Sequence, residues 1–402
     1  MQADLKNIDR ALLFRGGFGL ERETLRVDKN GRLAQTPHPF GDDEHLSRDF
    51  CENQLEIITP VTHSPSEAVE ALAALHRRAA ERLAEQEEYF WPFSNPPAFV
   101  DDDEIPIAQF SGQLHNKQLY RQYLAKKYGK RKMLFSGIHL NYSFSEELAE
   151  ALCVQLGTDR NGLYLTLAAR LVEYSWLIVL LTAASSAGEN SFMGDILDYA
   201  SPRCGRDGYW NDFTPELDFG SLYDHCMSIQ ALVNDGRLVS ASELYYPVRL
   251  KPRGENSLEA LLEGGADHIE LRMYDLDPLS PYGIFAEDVS FAQLLMLYLL
   301  SLDEPLPDGP AQKAAIDRMK QAARYDRPEA MKQNAAAILE DMERLYSDLG
   351  VGEVKLSVIR LQKEKLIKGG SYAERVRKTY GADFTHLGLA RAQRFTAVGE
   401  DR

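Results

Sequence analysis

Gly19-Leu20-Glu21-Arg22-Glu23-Thr24-Leu25-Arg26-Val27 reads as a strand, and its alternation decides how the rest of the chain is read. Side chains on a strand alternate faces with a period of two, so Glu21 and Glu23 share one face. Other segments carry ionisable side chains in the same way: Asp49-Phe50-Cys51-Glu52-Asn53-Gln54-Leu55-Glu56-Ile57-Ile58-Thr59-Pro60, Ser136-Gly137-Ile138-His139-Leu140-Asn141-Tyr142-Ser143 and His268-Ile269-Glu270-Leu271-Arg272-Met273-Tyr274. His139 and Asn141 oppose Ile138, Leu140 and Tyr142; Glu270 and Arg272 oppose Ile269, Leu271 and Met273. Together these runs describe a sheet with one apolar side packed on helices and one side lined with carboxylates and an imidazole. Such a face is costly to bury unless cations occupy it. Hard divalent cations prefer oxygen ligands, and clustered carboxylates are the usual way to hold more than one beside a polyphosphate. A solvated edge strand would also alternate like Glu21 and Glu23. Glu56 within Leu55-Glu56-Ile57-Ile58, and Glu270 within Ile269-Glu270-Leu271, argue for burial instead.

The bulk properties narrow the classes. A chain of 402 residues with 44% apolar and 26% charged side chains has the composition of a soluble globular protein with a substantial core. A formal net charge of −16 excludes nucleic acid or an anionic membrane as the main partner, although a local basic pocket could still take a nucleotide. Cys51, Cys153, Cys204 and Cys226 lie far apart without CxxC spacing, which reads as reduced thiols in a cytoplasmic protein. The N-terminal residues lack an apolar signal core. The apolar run Trp176 to Ala184 is too short to span a bilayer and reads as a buried helix.

No repeat or low-complexity linker divides the chain, so residues 1–402 are read as a single catalytic domain, mostly helical from about residue 285. Ser64-Pro65-Ser66-Glu67 supplies a helix N-cap, a first-turn proline and a capping-box glutamate for a helix running to about Glu88. Further helices are expected over about 117–128, 162–184, 287–302, 310–323 and 328–349, and a strand over about Leu238 to Leu250 with Glu243, Tyr245 and Arg249 on one face. The class is α+β with a mainly antiparallel or mixed sheet. No GxxxxGK[ST] or strand-linked GxGxxG is present, so a nucleotide would be held by metals and scattered Arg and Lys. Gly16-Gly17-Phe18-Gly19 is read as a tight turn into the first strand rather than a phosphate cradle. No nucleophile and base stand in a recognisable arrangement, and Cys51 is read as a strand residue.

Taken in order, Gly19 to Val27, Asp49 to Pro60, Ser136-Gly137-Ile138-His139 with Asn141, Glu243-Leu244-Tyr245 through Arg249, and Ile269 to Arg272 followed by Asp277-Pro278-Leu279-Ser280-Pro281 resemble the bacterial glutamate-cysteine ligases. That family is distantly similar to glutamine synthetase, and the resemblance spans about residues 15 to 300. It implies a strongly bent sheet forming a half-open barrel surrounded by helices, with ATP and Mg2+ (or Mn2+) at one end and the amino acids at the other. It also implies metal positions at Glu21, Glu23, Asp49, Glu56, His139 and Glu270, a catalytic pair in Glu270 and Arg272, and phosphate or glutamate contacts from Arg272 and Arg121. Phe50, Arg203, Tyr209 and Tyr245 fall where the family recognises the acceptor amino acid. The implied reaction joins L-glutamate to L-cysteine, the first step of glutathione biosynthesis. No appended ATP-grasp domain is visible, so the expected product is the dipeptide. Ala183 to Ser186 and Trp210 to Asp212 do not match the family pattern closely and are expected to border the acceptor pocket, which keeps another γ-glutamyl acceptor open as the alternative. A catalytically silent relative is a further alternative, against which the retained metal-position residues speak.

Overall fold

The computed structural model describes residues 2–110, 112–186, 188 and 198–397. Its strands are β1 (Gly16–Val27), β2 (Leu46–Arg48), β3 (Gln54–Ile58), β4 (Tyr89–Phe90), β5 (Ile138–Phe144), β6 (Val248–Lys251) and β7 (His268–Tyr274). They lie in the order β2-β3-β1-β5-β7-β6, with β4 pairing separately on the far end of β1, and every pairing is antiparallel. The helices are α1 (Pro65–Ala84), α2 (His115–Tyr128), α3 (Glu146–Leu156), α4 (Arg160–Thr182), α5 (Leu222–Asn234), α6 (Leu258–Gly264), α7 (Ala286–Leu300), α8 (Gly309–Ala322), α9 (Glu329–Asp348), α10 (Glu353–Lys365), α11 (Tyr372–Tyr380) and α12 (Phe384–Ala397). This is the expected α+β class with its helical C-terminal part.

One face of the sheet makes the core. Leu20, Leu55, Ile57, Ile138, Leu140, Ile269 and Leu271 are buried in a single apolar cluster with side chains of α1, α4 and α7. α1 packs on β1 and β3, and α4 packs on β6 and β7. α4 has the length and hydropathy to cross a membrane, but its side chains are almost wholly buried among strands and helices. The C-terminal helices close the same core from outside: α10 packs on α7, and α12 on α1 and β4.

Local chemistry explains the boundaries. The Ser64 Oγ accepts from the Glu67 amide at 3.2 Å, while Glu67 accepts from the His63 amide at 3.0 Å. α1 ends at Ala84, short of Glu88, because Glu87 adopts φ 54° and the chain turns into β4. That turn lets buried Glu88 pair with Arg26 at 2.5 Å. The Asp49 to Pro60 segment is a turn between β2 and β3 followed by β3 rather than one strand. The strand expected over Leu238 to Leu250 is confined to Val248–Lys251; before it runs a 3-10 turn, Ala241–Glu243, and Pro247 has no N–H for a ladder. Gly16 and Gly17 lie inside β1, not in a turn. A Cβ on Gly16 would stand 2.5 Å from the Ser143 carbonyl oxygen and one on Gly17 2.7 Å from the Ser143 hydroxyl, so both serve the close approach of β5.

Candidate active site

The other face of the sheet gathers the charged side chains. Across neighbouring strands Glu23 stands opposite Glu56, Glu21 opposite His139, and Glu270 opposite both Asn141 and Arg249. With Asp49, all of these but Asn141 line a cavity of about 180 Å³. Its other walls are Phe50, Tyr120, Arg121, Leu124, Met133, Tyr209 and Tyr245, brought in by α2, the turn after it and the loops that follow β2, α4 and α5.

The contacts form a graded network. Asn141 Nδ2 donates to Glu21 Oε1 at 2.9 Å, and His139 Nδ1 lies 3.2 Å from Glu21 Oε2. Arg272 pairs with Glu270 at 2.9 Å and Lys251 with its other oxygen at 3.1 Å. Burial pushes Glu21 and Glu270 upward. At Glu21 the hydrogen bond with His139, added to the charges of His139 and Lys251, outweighs burial, and at Glu270 the charges of Arg272, Lys251, His139 and Arg249 together do, so both end below the ordinary glutamate value. Glu23 and Glu56 go the other way: burial raises them, and Asp49 raises both further, joined at Glu56 by Glu21 and Glu23. Protein partners therefore hold the Glu21 and Glu270 half of the acidic face ionised, whereas at Glu23 and Glu56 burial and neighbouring acids outweigh the nearby cations.

A divalent cation fits this donor set. Ligand atoms of Glu21, His139 and Glu270 lie within 4.8 Å of one another. His139 Nε2 is buried without a hydrogen-bond partner, 3.6 Å from Glu23 Oε1. Carboxylate oxygens with one imidazole suit Mg2+ or Mn2+ better than a thiophilic metal.

Of the residues given metal, catalytic or substrate roles by the resemblance, all but Arg203 line the cavity. Arg203 stands directly behind it, lining a smaller adjoining hollow with Tyr209, Trp210, Tyr245 and Arg272 and donating to the Arg272 carbonyl at 2.7 Å. Gly137 makes room for it, since a Cβ there would stand 2.4 to 2.6 Å from the guanidinium. The Arg121 Nε–H donates to the Asp49 carbonyl, and its guanidinium stacks 4.7 Å from the Phe110 ring centroid. Tyr209 and Tyr245 stack at 4.6 Å. Trp210 borders the adjoining hollow as expected, whereas Ala183 to Ser186 do not line the cavity: the Ala184 amide donates to Asp275, and the Ser186 hydroxyl to the Ala373 carbonyl. Glu243 is also turned away, fully buried behind the wall.

Sequence reading passed over Tyr120, Leu124, Met133, Ser242, Arg249 and Lys251 as cavity residues. Arg249 is notable because its guanidinium donates to the carbonyls of Leu244 (2.9 Å) and Ser242 (3.0 Å). Burial, with the charge of Arg272, lowers it to about 10. Lys251 and Arg249 alternate on β6 as the acids do on β1, which was the available signal.

Comparison with known proteins bears on the family and the fold. The sequence model of the glutamate-cysteine ligase family matches residues 3–222 and 214–321. The glutathione biosynthesis bifunctional protein GshAB of Clostridium perfringens is 36% identical over 332 residues, covering 73% of this chain and 42% of the relative. The protein of the same name from Streptococcus mutans is 35% identical over 405 residues, covering 95% and 52%. The chain thus spans about half the length of the curated relatives it matches. The crystal structure of a bifunctional glutathione synthetase from Pasteurella multocida superposes with a TM-score of 0.87 at 27% identity, over 99% of this chain and 54% of that one. A Francisella tularensis glutamate-cysteine ligase in complex with AMP shares the fold, with a TM-score of 0.88 at 22% identity over 97% and 90% of the two chains. With the family model covering most of the sequence and relatives this similar along nearly its whole length, the chain belongs to the glutamate-cysteine ligase family.

Proposed function

We propose that the protein joins the γ-carboxylate of L-glutamate to the amine of L-cysteine at the expense of ATP, releasing ADP and phosphate. The observation that carries this reading is the acidic face itself: Glu21, Glu23, Glu56, His139 and Glu270 converge from adjoining strands on one cavity that also holds Arg272 and an aromatic wall. The glutamate γ-carboxylate attacks the γ-phosphorus of ATP, forming γ-glutamyl phosphate as the bond to ADP breaks. The cysteine amine then attacks the acyl carbon, loses a proton, and phosphate leaves.

Glu21, His139 and Glu270, and across the sheet Glu23, Asp49 and Glu56, would hold divalent cations, for which Mg2+ is our assignment with Mn2+ able to substitute. Bound there, the cations supply charge neutralisation and alignment of the phosphates. Arg272 contributes a fixed donor: burial opposes its charge, but Glu270, Tyr209 and Glu23 hold it firmly cationic beside the phosphoryl path. Arg121, propped by Phe110 and the Asp49 carbonyl, offers a second. Phe50, Tyr209 and Tyr245 wall the acceptor end and exclude water, which would otherwise hydrolyse the acyl phosphate. We take α7 to α12 as part of the same catalytic unit, because they close the core beneath the sheet. The four cysteines are unpaired thiols, which suits a reducing compartment such as the cytoplasm.

The test is incubation with ATP, MgCl2 and glutamate plus single candidate acceptors, with ADP release and product mass as readouts. γ-Glutamylcysteine as the main product supports the reading. Inert cysteine beside a reactive bulky or basic amine replaces it with another γ-glutamyl ligase, and no ADP release with any acceptor rejects ligase activity.

A further inference from the structure

Glu243 lies outside the cavity, yet every group it touches leads to the aromatic wall. Its carboxylate is fully buried; Oε1 accepts from Lys127 Nζ at 2.5 Å and from the Tyr128 hydroxyl at 2.7 Å, and Oε2 accepts from the Val239 amide at 2.6 Å. Its own carbonyl accepts from Asn211 Nδ2 at 2.8 Å. Asn211 also donates to the Tyr128 oxygen at 3.0 Å and accepts from the Tyr245 amide at 2.9 Å. The Tyr128 ring meets the Tyr245 ring nearly edge-on, with centroids 5.6 Å apart. Lys127 and Tyr128 end α2, whose earlier residues Tyr120, Arg121 and Leu124 reach into the cavity.

We infer that Glu243 is a positioning residue for acceptor binding: it pins the end of α2 to the segment carrying Tyr245 and so fixes the separation of two walls of the acceptor pocket. The inference rests on the ligase reading above. A buried carboxylate that served only stability would need no link to both walls. Here two of its partners sit on the helix bearing Tyr120 and Leu124, and a third, Asn211, holds the Tyr245 backbone. The charges it touches are Lys127 alone; the remaining partners are a phenol, an amide side chain and a backbone amide, so neutralising the carboxylate loosens the whole junction at once.

The experiment compares wild type with Glu243→Gln and Tyr128→Phe, the latter removing one hydrogen bond while keeping the ring. Steady-state constants are measured for each substrate separately, together with the preference for cysteine over 2-aminobutyrate and the melting temperature. A lost hydrogen bond to a charged group in a positioning network predicts a rise of about tenfold or more in acceptor KM, several times larger than any rise in KM for glutamate or ATP, which Arg121 on the same helix serves. The preference for cysteine falls in parallel. Equal changes in all three KM values, or a lower melting temperature with no change in acceptor KM, overturn the inference. If Glu243→Gln fails to fold, Tyr128→Phe decides alone. Should the wild type use an acceptor other than cysteine, the functional reading fails, and the same split measured on that acceptor still decides the role of Glu243.

Discussion

Glu56→Gln should stabilise the cation-free protein and lose most of that advantage when divalent cation is bound. Glu56 stands directly across from Glu23, with Asp49 and Glu21 also raising its pKa and no hydrogen-bond or ion-pair partner recorded for its own carboxylate among the described residues. Directly opposed residues have Cβ atoms about 5 Å apart, and two full charges at a separation of about that size repel by about 3 kcal/mol at an effective dielectric near 20. Proton uptake by the raised group caps that cost, so removing the charge should stabilise the cation-free protein by about 1–3 kcal/mol. Unfolding entropy scales with length, so this is about 1 °C per kcal/mol for 402 residues. In MgCl2 most of that gain is lost, because a tenfold weaker cation site forfeits about 1.4 kcal/mol of binding-linked stability. Differential scanning in EDTA and then in saturating MgCl2 reads both effects, and turnover should fall by about a hundredfold or more. A variant less stable than wild type in EDTA, or one gaining as much from Mg2+ as the wild type does, would refute the reasoning.

Gly137→Ala should fold, because its Cβ meets only the flexible end of Arg203, yet it must push that guanidinium off the Arg272 carbonyl. We expect about a tenfold loss of kcat/KM that does not add to the loss in Arg203→Ala; additive losses would separate the two. Glu88→Ala leaves Arg26 as a buried unpaired cation and should cost about 3–5 kcal/mol in chemical denaturation, and a cost under about 1 kcal/mol would mean the pair is dispensable. Burial raises the Asp277 carboxyl to about 7, and its Oδ2 is unpartnered. Such a group binds more protons folded than unfolded, so its contribution to stability is lost as pH rises from 3.8 to about 7. Asp277→Asn should gain on wild type across that window, and parallel melting curves would show that Asp277 does not titrate as described.

The alternation of Glu21 with Glu23, His139 with Asn141 and Glu270 with Arg272 was legible in the sequence because strand periodicity is local and, around His139 and Glu270, the opposing residues are uniformly apolar. What periodicity cannot carry is which element covers the face. Tyr120, Leu124 and Met133 reach the cavity only because α2 and the turn after it pack over the sheet, and Arg203 stands behind Arg272 only because Gly137 leaves space. The segment Leu238 to Pro247 misled in the opposite sense. Its aromatic and aliphatic residues suit a strand, but Glu243 finds Lys127 and Tyr128 instead of the cavity, so tertiary hydrogen bonding overrides propensity. The expected strand places Arg249 on a face with Glu243 and Tyr245 but gives it no site role, and Lys251 lies beyond that strand, although the same alternation that marks the acids applies to both.

The residues between the acids of β1 carry a different burden. Arg22 faces the apolar side, donating to His76 Nδ1 at 2.7 Å, and Arg26 is locked to Glu88 on that same side. A slip of one residue against β3 or β5 would exchange these faces, thrusting Glu21 and Glu23 into the aliphatic core and swinging two arginines into the cavity. Either half of that exchange strands bare charge in a low-dielectric interior, at several kcal/mol per group. The strand thus proofreads its own assembly: an out-of-register sheet would be a poor metal site and also a poor fold, leaving little room for a partly active misfolded population. Variants that neutralise the acids should then loosen the fidelity of refolding along with the chemistry, a cost that activity measurements on native protein would never reveal.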